Sequence, residues 1–272
     1  MSSRIHELHY SNTNTYLIEG EHGRLLLDTG WAGTFPAFCR ACGEMGIPVQ
    51  GIDYILITHF HPDHMGIAQE IAELGPVIVV TDVQRDFIHS ADDVFRKEPK
   101  TPFVPIDESK VRFVSFSESR VFLAELGLQG EILYTPGHSD DSISLCLDDG
   151  AVFAGDLNPL YELDMHRGTA IEKSWTNILA KNPKVVYYGH AKAAEFRDKD
   201  SKQAPGEEDS DLYPLVAKIM KYIDKGLSTA RIERKTGADQ AFIENVARMY
   251  LTHQNVGVQG ILDRIELRGT NR

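Results

Sequence analysis

Short apolar runs bounded by turn residues recur along the first 190 positions of the chain. Continuous runs such as residues 54–57 and 77–80 are typical of strands that are buried on both faces. Segments whose apolar residues recur every three or four positions predict helices instead. The predicted strands are 15–18, 25–28, 53–58, 77–80, 111–116, 131–134, 143–147, 152–154 and 185–188, and the predicted helices are 34–46, 67–74 and 171–180. This mixture indicates an α/β (α+β) architecture.

The pattern changes after residue 196. Residues 197–211 contain no apolar side chain larger than alanine or proline, so we expect an exposed linker or loop there. Helical spacing returns at 215–223, and two further helices are expected over 229–235 and 239–251. The sequence therefore predicts a catalytic domain of residues 1–196, a linker of residues 197–211 and a small C-terminal all-α region of residues 212–272.

The two parts of the chain differ in charge. The whole sequence has a net charge of −12, whereas residues 212–272 hold ten Lys or Arg against six Asp or Glu, a net +4. An acidic body disfavours bulk electrostatic contact with nucleic acid or an anionic membrane. No run approaches the ~18 apolar residues of a membrane span, and we expect no secretory leader. We therefore expect a cytoplasmic protein with a small-molecule substrate and no membrane partner.

The strongest chemical signal is the segment 58–66, T-H-F-H-P-D-H-M-G, which follows a predicted buried strand. Imidazole and carboxylate groups suit zinc and ferrous iron. Pro62 and Gly66 favour a tight turn that folds these side chains around one centre. The ligand-type residues, which fall within six positions, are His59, His61, Asp63 and His64. The segment predicts a metal centre rather than a solvated polar loop, because other segments of the chain match it.

Three later segments repeat this arrangement, in which an apolar strand stops at a small residue and a ligand-type residue follows. The residues concerned are His138, Asp156 and His190, after the predicted strands that end at positions 134, 154 and 188. Each signal alone is weak, since a His or Asp at a strand end commonly serves as a cap. Together with residues 58–66, they predict one centre built from four strand ends.

In this order, the motifs His-x-His-x-Asp-His, Gly-His, Gly-Asp and Gly-His resemble the metallo-β-lactamase superfamily over residues 10–195. The resemblance implies an αββα metallo-β-lactamase sandwich, with two packed sheets, helices outside them and metals at one edge. It implies two divalent metal ions, with zinc as the expected metal and iron or manganese as alternatives. The first would be held by His59, His61 and His138, the second by Asp63, His64 and His190, and Asp156 would bridge both.

The same resemblance implies a dinuclear hydrolase, in which a metal-bridging hydroxide cleaves a small ester, lactone, thioester or related bond. Asp63 would then be the catalytic carboxylate that orients the nucleophile and passes a proton to the leaving group. Behind the ligands, Asp28 and Thr58 are expected to fix the orientation of the histidines. The loop after Asp156 lines the pocket in relatives, and its candidate substrate-binding residues here are Asn158, Tyr161, Glu162 and His166.

Asp140 and Asp141 depart from the pattern of the family, which often has Pro-Gly at these positions after the ligand histidine. We expect this acidic pair to cap a turn. The alternative is that the two carboxylates repel anionic substrates from that wall of the pocket.

Three other functions stay open at this point. One is a phosphodiesterase or nuclease. Another is a mononuclear iron dioxygenase of the persulfide type, with its metal held mainly by His59, His61 and His138 together with Asp156. The third is a non-catalytic regulator that senses a metabolite and binds DNA.

The regulator hypothesis draws on residues 228–248, which resemble a helix-turn-helix around Gly237. Asp239 and Glu244 would repel phosphate in the presumed recognition helix. We therefore expect these helices to form a lid or a homodimer element rather than a nucleic-acid contact.

Overall fold

The computed structural model describes residues 3–98, 100–196, 213–252 and 261. The predicted linker over 197–211 lies outside these residues. The strands are β1 (Arg4–Leu8), β2 (Thr15–Glu19), β3 (Arg24–Leu27), β4 (Tyr54–Leu56), β5 (Val77–Thr81), β6 (Arg112–Val114), β7 (Gly130–Tyr134), β8 (Ile143–Leu147), β9 (Ala151–Phe153), β10 (Val185–Tyr187) and β11 (Ala194–Glu195).

The helices are α1 (Phe35–Glu44), α2 (Pro62–Met65), α3 (Ala68–Ala72), α4 (Asp92–Arg96), α5 (Ser119–Glu125), α6 (Ala170–Leu179), α7 (Tyr213–Asp224), α8 (Thr229–Thr236) and α9 (Gln240–Thr252). Short 3-10 helices lie between them, including Leu160–His166. No helix within the described ranges combines the length and the apolar character that a bilayer crossing requires.

The strands form two sheets. The first has six strands in the order β1-β2-β3-β4-β5-β6, antiparallel from β1 to β3 and parallel from β3 to β6. The second has five strands in the order β11-β10-β9-β8-β7, with β9 and β10 parallel and the other pairs antiparallel. In this topology β7, β9 and β10 run in the same direction, so their carboxyl ends lie at one edge of the second sheet.

Successive side chains of a strand point to opposite faces of its sheet, and this explains how the sheets and helices are layered. In the first sheet, Leu26 and Ile55 face the cluster that contains Phe38 of α1, whereas Leu25 and Leu56 face the other sheet. The outer face of the second sheet packs against α6, whose Trp175 is fully buried. The order of layers is helices, sheet, sheet, helix, which confirms the predicted αββα sandwich.

The C-terminal helices surround an apolar cluster of their own. Val216, Ile232 and Ile243 from α7, α8 and α9 are fully buried in it. Gly237 ends α8 in the left-handed conformation that favours glycine. The three predicted helices are present, and their use as a lid, a homodimer element or a nucleic-acid contact stays a prediction.

Four elements were not predicted from the sequence, namely β1, β11, α4 and α5. β1 contains only two apolar residues among five and buries only Leu8, so its pattern does not differ from that of a polar loop. α5 has seven residues, which is too short to show helical periodicity clearly.

The tight turn expected at Pro62 is the single helical turn α2, because proline suits the first position of a helix.

Gly66 permits a close approach between the segment after β4 and the segment after β3. A Cβ atom at this position would lie 2.7 Å from the backbone carbon of Trp31 and 2.8 Å from the carbonyl oxygen of Gly30. The Gly66 backbone N–H also donates to this carbonyl oxygen. Neither segment can move without displacing a strand end.

We expect Gly66→Ala to lower the free energy of unfolding by about 1–3 kcal/mol, because the added methyl group meets backbone rather than a movable side chain. Urea denaturation followed by circular dichroism measures this effect. Gly43→Ala is the control, since Gly43 lies in the last turn of α1 and a Cβ there meets nothing within 4 Å. That variant should gain about 0.5–1 kcal/mol. Equal stability of the two variants would contradict the steric account.

Candidate metal centre

The candidate ligands lie just beyond the carboxyl ends of four strands. Four of them lie in one segment after β4 of the first sheet. The other three follow β7, β9 and β10 of the second sheet, one after each strand. The backbone N–H of Ile143 donates to the carbonyl oxygen of Thr58, which joins the two sheets at this edge. The residues that meet here are His59, His61, Asp63, His64, His138, Asp156 and His190.

These seven side chains form three overlapping groups, in each of which the ligand atoms lie within 4.8 Å of one another. The groups are His59–His61–His138, His59–His64–Asp156 and Asp63–His64–His190.

Asp156 lies between the two halves of the cluster. Its Oδ2 is 3.6 Å from His138 Nε2 and 3.4 Å from His190 Nε2. The structure thus brings together every residue that the sequence analysis named as a ligand.

Four buried atoms of the cluster have no hydrogen-bond partner among the described residues. They are Nε2 of His59, His64 and His190, and Oδ1 of Asp156. An unpaired buried polar atom costs about 1–3 kcal/mol. Imidazole nitrogen and carboxylate oxygen are donors for divalent transition metals, so this donor set fits metal ions.

Asp28 and Thr58 lie directly behind two of the histidines. Asp28 Oδ2 is 2.8 Å from His64 Nδ1, and Asp28 Oδ1 accepts a hydrogen bond from the backbone N–H of Thr58 at 2.8 Å. The Thr58 hydroxyl lies 3.2 Å from His59 Nδ1. With Nδ1 engaged in this way, Nε2 of each imidazole points into the cluster. The two strands β3 and β4 are parallel neighbours, which is why residues just beyond their ends meet.

Residues 12–14 hold the opposite side of the cluster, and sequence reasoning missed them. The carbonyl oxygen of Asn12 accepts from His190 Nδ1 at 2.8 Å, and the Thr13 hydroxyl donates to the carbonyl oxygen of Asp63 at 2.7 Å. The Asn14 side chain donates to the carbonyl oxygens on either side of the Gly189–His190 pair. The available signal was the polar run S-N-T-N-T of residues 11–15, which leads into β2. The groups that residues 12–14 contact are backbone atoms of other segments, and these cannot be recognised from residue type.

Glycine before a ligand lets the segments approach closely. A Cβ at Gly189 would lie 2.6 Å from Asp156 Oδ1 and 2.7 Å from His64 Cε1. A side chain there would therefore occupy the centre of the cluster, and this explains the Gly-His pair at the end of β10.

The pKa shifts differ between the two sides of the cluster. Burial would lower the pKa of His64 and of His190, but the neighbouring carboxylate of Asp156 raises both, so these two imidazoles must release a proton when a metal binds. Burial lowers the pKa of His138 to about 4, so its imidazole is neutral at pH 7. Burial by itself would raise the pKa of Asp63 and of Asp156, but the neighbouring His64 and His190 hold both below their usual range. Neutral imidazole and ionised carboxylate are the forms that coordinate a metal ion.

The cluster is open to solvent on one side. The Asp63 side chain is 23% exposed and the His138 side chain 21%, whereas Asp156 is 5% exposed and His64 is fully buried. Solvent therefore reaches the cluster from the side of Asp63 and His138.

The four candidate substrate-binding residues lie in and before the 3-10 helix Leu160–His166. Glu162 is 2% exposed and His166 is 3% exposed, and Asn158 donates a hydrogen bond from Nδ2 to Glu162 Oε2 at 3.0 Å. The side chain of Tyr161 is not among those that the structure describes. Contact of these residues with substrate stays a prediction.

The family profile described as "Metallo-beta-lactamase superfamily" matches residues 10–190, a range that contains the strands β2 to β10 and all seven candidate ligands. The chain belongs to the metallo-β-lactamase superfamily. This superfamily assignment accounts for the sandwich and for the order of the ligand motifs along the chain.

Similar proteins support the superfamily assignment. "Beta-lactamase-like protein 2 homolog" of Drosophila melanogaster is 29% identical over 67% of this chain and 60% of its own length. "Atrochrysone carboxyl ACP thioesterase" of Claviceps purpurea is 28% identical over 54% of this chain and 40% of its own. The chain thus spans 60% or less of these relatives. The crystal structure of TTHA1623 in a di-iron-bound form matches with a TM-score of 0.53 and 24% identity, over 71% of this chain and 94% of that one.

We expect Asp28→Asn to weaken metal binding about 10- to 100-fold, because an amide has one acceptor oxygen where the carboxylate has two. Asn tolerates the positive φ of 61° at this position, so the backbone is not strained further. Competition with a chromophoric chelator measures the affinity. Asp53→Asn, at the opposite end of β4, is the control and should bind metal as the parent does. Unchanged affinity in Asp28→Asn would show that this carboxylate does not position His64.

Proposed function

We propose that the protein is a dinuclear metal-dependent hydrolase that cleaves a small ester, thioester, lactone or related bond. The observation that carries the proposal is the convergence of seven donor side chains, four of whose buried atoms lack a partner within the described part of the chain. The three-histidine group would hold one ion, and Asp63, His64 and His190 would hold the other.

Two ions are favoured over one by the number and arrangement of donors. A single zinc ion takes four ligands, and catalytic sites keep one position open. Here the three-histidine group and the Asp63–His64–His190 group each offer three donors, with Asp156 between them. A mononuclear dioxygenase would leave the second group without a role, which is the reason for preferring the hydrolase.

When bound, such ions lower the pKa of water to about 7 and so make a hydroxide nucleophile available at neutral pH. The residues of the chain would orient this chemistry. Asp63 is the carboxylate with access to solvent, and His190 Nε2 lies 3.0 Å from its Oδ2. Asp63 would therefore position the attacking oxygen and carry a proton to the leaving group, whereas the buried Asp156 would only hold the metals.

The net charge and one relative support the proposed type of bond. The chain has a net charge of −12, which disfavours a long polyanionic substrate such as RNA. A thioesterase is among the similar proteins, and a thioester is one of the bonds that attack of a hydroxide on a carbonyl carbon would cleave. Small esters and thioesters are therefore the first substrates to test.

We expect the purified protein to contain about two zinc, iron or manganese ions per chain, measured by elemental mass spectrometry. The same preparation should hydrolyse at least one member of a panel of aryl esters, acyl thioesters and lactones. Activity only on a phosphodiester would replace the proposed bond. One iron per chain, with oxygen consumption in the presence of a persulfide, would replace the hydrolase by a dioxygenase.

We expect His61→Ala to lower kcat/KM at least ~100-fold and to remove about one metal ion per chain, because it deletes a donor of the three-histidine group. His22→Ala is the matched control, since this histidine is exposed in the turn between β2 and β3. The control should keep the metal content and the activity of the parent. Full activity in His61→Ala would rule out the proposed site.

A further inference from the structure

Asp141 is a buried carboxylate that joins the two segments carrying the three-histidine group. It is 2% exposed, and its Oδ2 accepts a hydrogen bond from the backbone N–H of Phe60 at 2.6 Å. Its Oδ1 accepts from the Ser139 hydroxyl, also at 2.6 Å. Phe60 lies between His59 and His61, and Ser139 follows His138.

This contact crosses between the two sheets. Phe60 belongs to the segment after β4, and Asp141 to the segment that connects β7 with β8, 81 positions further along the chain. His61 and His138 lie on the open side of the cluster, with His61 Nδ1 and His138 Nε2 3.0 Å apart. Their separation depends on how these two segments are held relative to each other.

The Asp63–His64–His190 group has different supports. His64 contacts Asp28, and residues 12–14 hold His190 and the backbone of Asp63. Neither support contacts Asp141 through a hydrogen bond that the structure shows. Asp28 also contacts Thr58 behind His59, so it supports both halves of the cluster, whereas the hydrogen bonds of Asp141 reach only the segments that carry the three-histidine group.

The neighbouring residues 140 and 141 differ in environment. Asp140 is exposed, whereas Asp141 is buried with both carboxylate oxygens engaged. The expected turn cap accounts for the Ser139 contact of Asp141, but the Phe60 contact extends beyond that turn. A residue placed only to repel anionic substrates would face solvent, and Asp141 does not.

We propose that Asp141 is a positioning residue, which sets the metal affinity of the His59–His61–His138 group by holding the segment after β4 against the segment after β7. It touches neither metal nor substrate. This inference rests on the metal centre of the proposed function, but not on which bond that centre cleaves.

Substitutions at position 141 distinguish the effect of its hydrogen bonds on metal affinity from the effect of its negative charge. Asn at position 141 keeps an oxygen that can accept from the Phe60 N–H, and its amide can donate to the Ser139 hydroxyl oxygen, which already lies 2.7 Å from the Ser142 hydroxyl. Ala keeps neither contact. If positioning decides the affinity, Asn retains it and Ala does not. If the negative charge decides it, both substitutions lose it.

The experiment is a titration of the purified, chelator-treated protein with Co²⁺, in which the visible d–d absorption reports the affinity of each ion. We expect Asp141→Ala to weaken one of the two binding steps about 10- to 100-fold. Asp141→Asn and the control Asp140→Ala should stay within about threefold of the parent. Equal losses in Asp141→Ala and Asp141→Asn would assign the effect to charge and overturn the proposal.

A double-substitution cycle separates positioning from general destabilisation. In a His61→Ala background the three-histidine group is already incomplete, so adding Asp141→Ala should leave the affinity of the remaining ion unchanged. A further loss in that background would indicate a general structural effect and would contradict the inference.

The outcomes separate this inference from the proposed function. If the parent binds Co²⁺ and Asp141→Ala binds it equally well, the inference alone fails. If the parent binds no Co²⁺, Zn²⁺ or Fe²⁺, both fail. If Asp141→Ala does not fold, the metal affinities of Asp141→Asn and Asp140→Ala are compared instead. Equal affinities support positioning by hydrogen bonds, and a loss in Asp141→Asn alone assigns the effect to charge and overturns the proposal.

Discussion

The close placement of seven nitrogen and oxygen donors, with four buried atoms that have no hydrogen-bond partner among the described residues, is the constraint on which the rest of this structure depends. Such groups are costly to remove from water unless each has a partner. Two apolar sheets supply the rigid strand ends, and parallel neighbours place those ends at a common edge. The sandwich provides the positions, and the polar contacts behind each side chain provide the orientation.

That orientation comes from three separate places in the chain. Asp28 and Thr58 engage Nδ1 of His64 and His59 at the ends of β3 and β4. Residues 12–14 hold the segment around His190, and Asp141 ties Phe60 to the loop after β7. Each contact uses the side of the ligand that faces away from the cluster. The donor atoms left free are therefore those that point inward, which is the arrangement a metal ion requires.

This division has a functional consequence for a dinuclear centre. The two groups of donors share Asp156 and the support of Asp28, whereas Asp141 contacts only the segments of the three-histidine group. Solvent reaches the cluster on the side of Asp63 and His138, whereas Asp156 and His64 lie behind. The carboxylate that would move a proton is thus also the one that a substrate can approach.

The pattern of residue types along the chain explains which strands and which candidate ligands could be predicted. Strands such as β5 and β8 are buried on both faces, so each appears in the sequence as an unbroken or nearly unbroken apolar run. β1 was not predicted, because its pattern of polar and apolar residues is the same as that of a polar loop. The ligands were recognisable because four of them fall within six positions and the other three follow later strands in a fixed order. Glu162 and His166 showed no comparable signal, and their burial became visible only in the fold.

The sequence by itself determined the mixture of strands and helices and the seven candidate donor residues, since these depend on residue types at local positions. The layered architecture was implied by the resemblance of the motifs to the superfamily. Only the tertiary structure decided which nitrogen of each histidine faces inward and which residues hold it there. Those contacts join residues 36, 81 and 178 positions apart, and several end on backbone oxygens. A backbone oxygen is the same at every position, so no pattern along the chain can reveal its partner before the chain has folded.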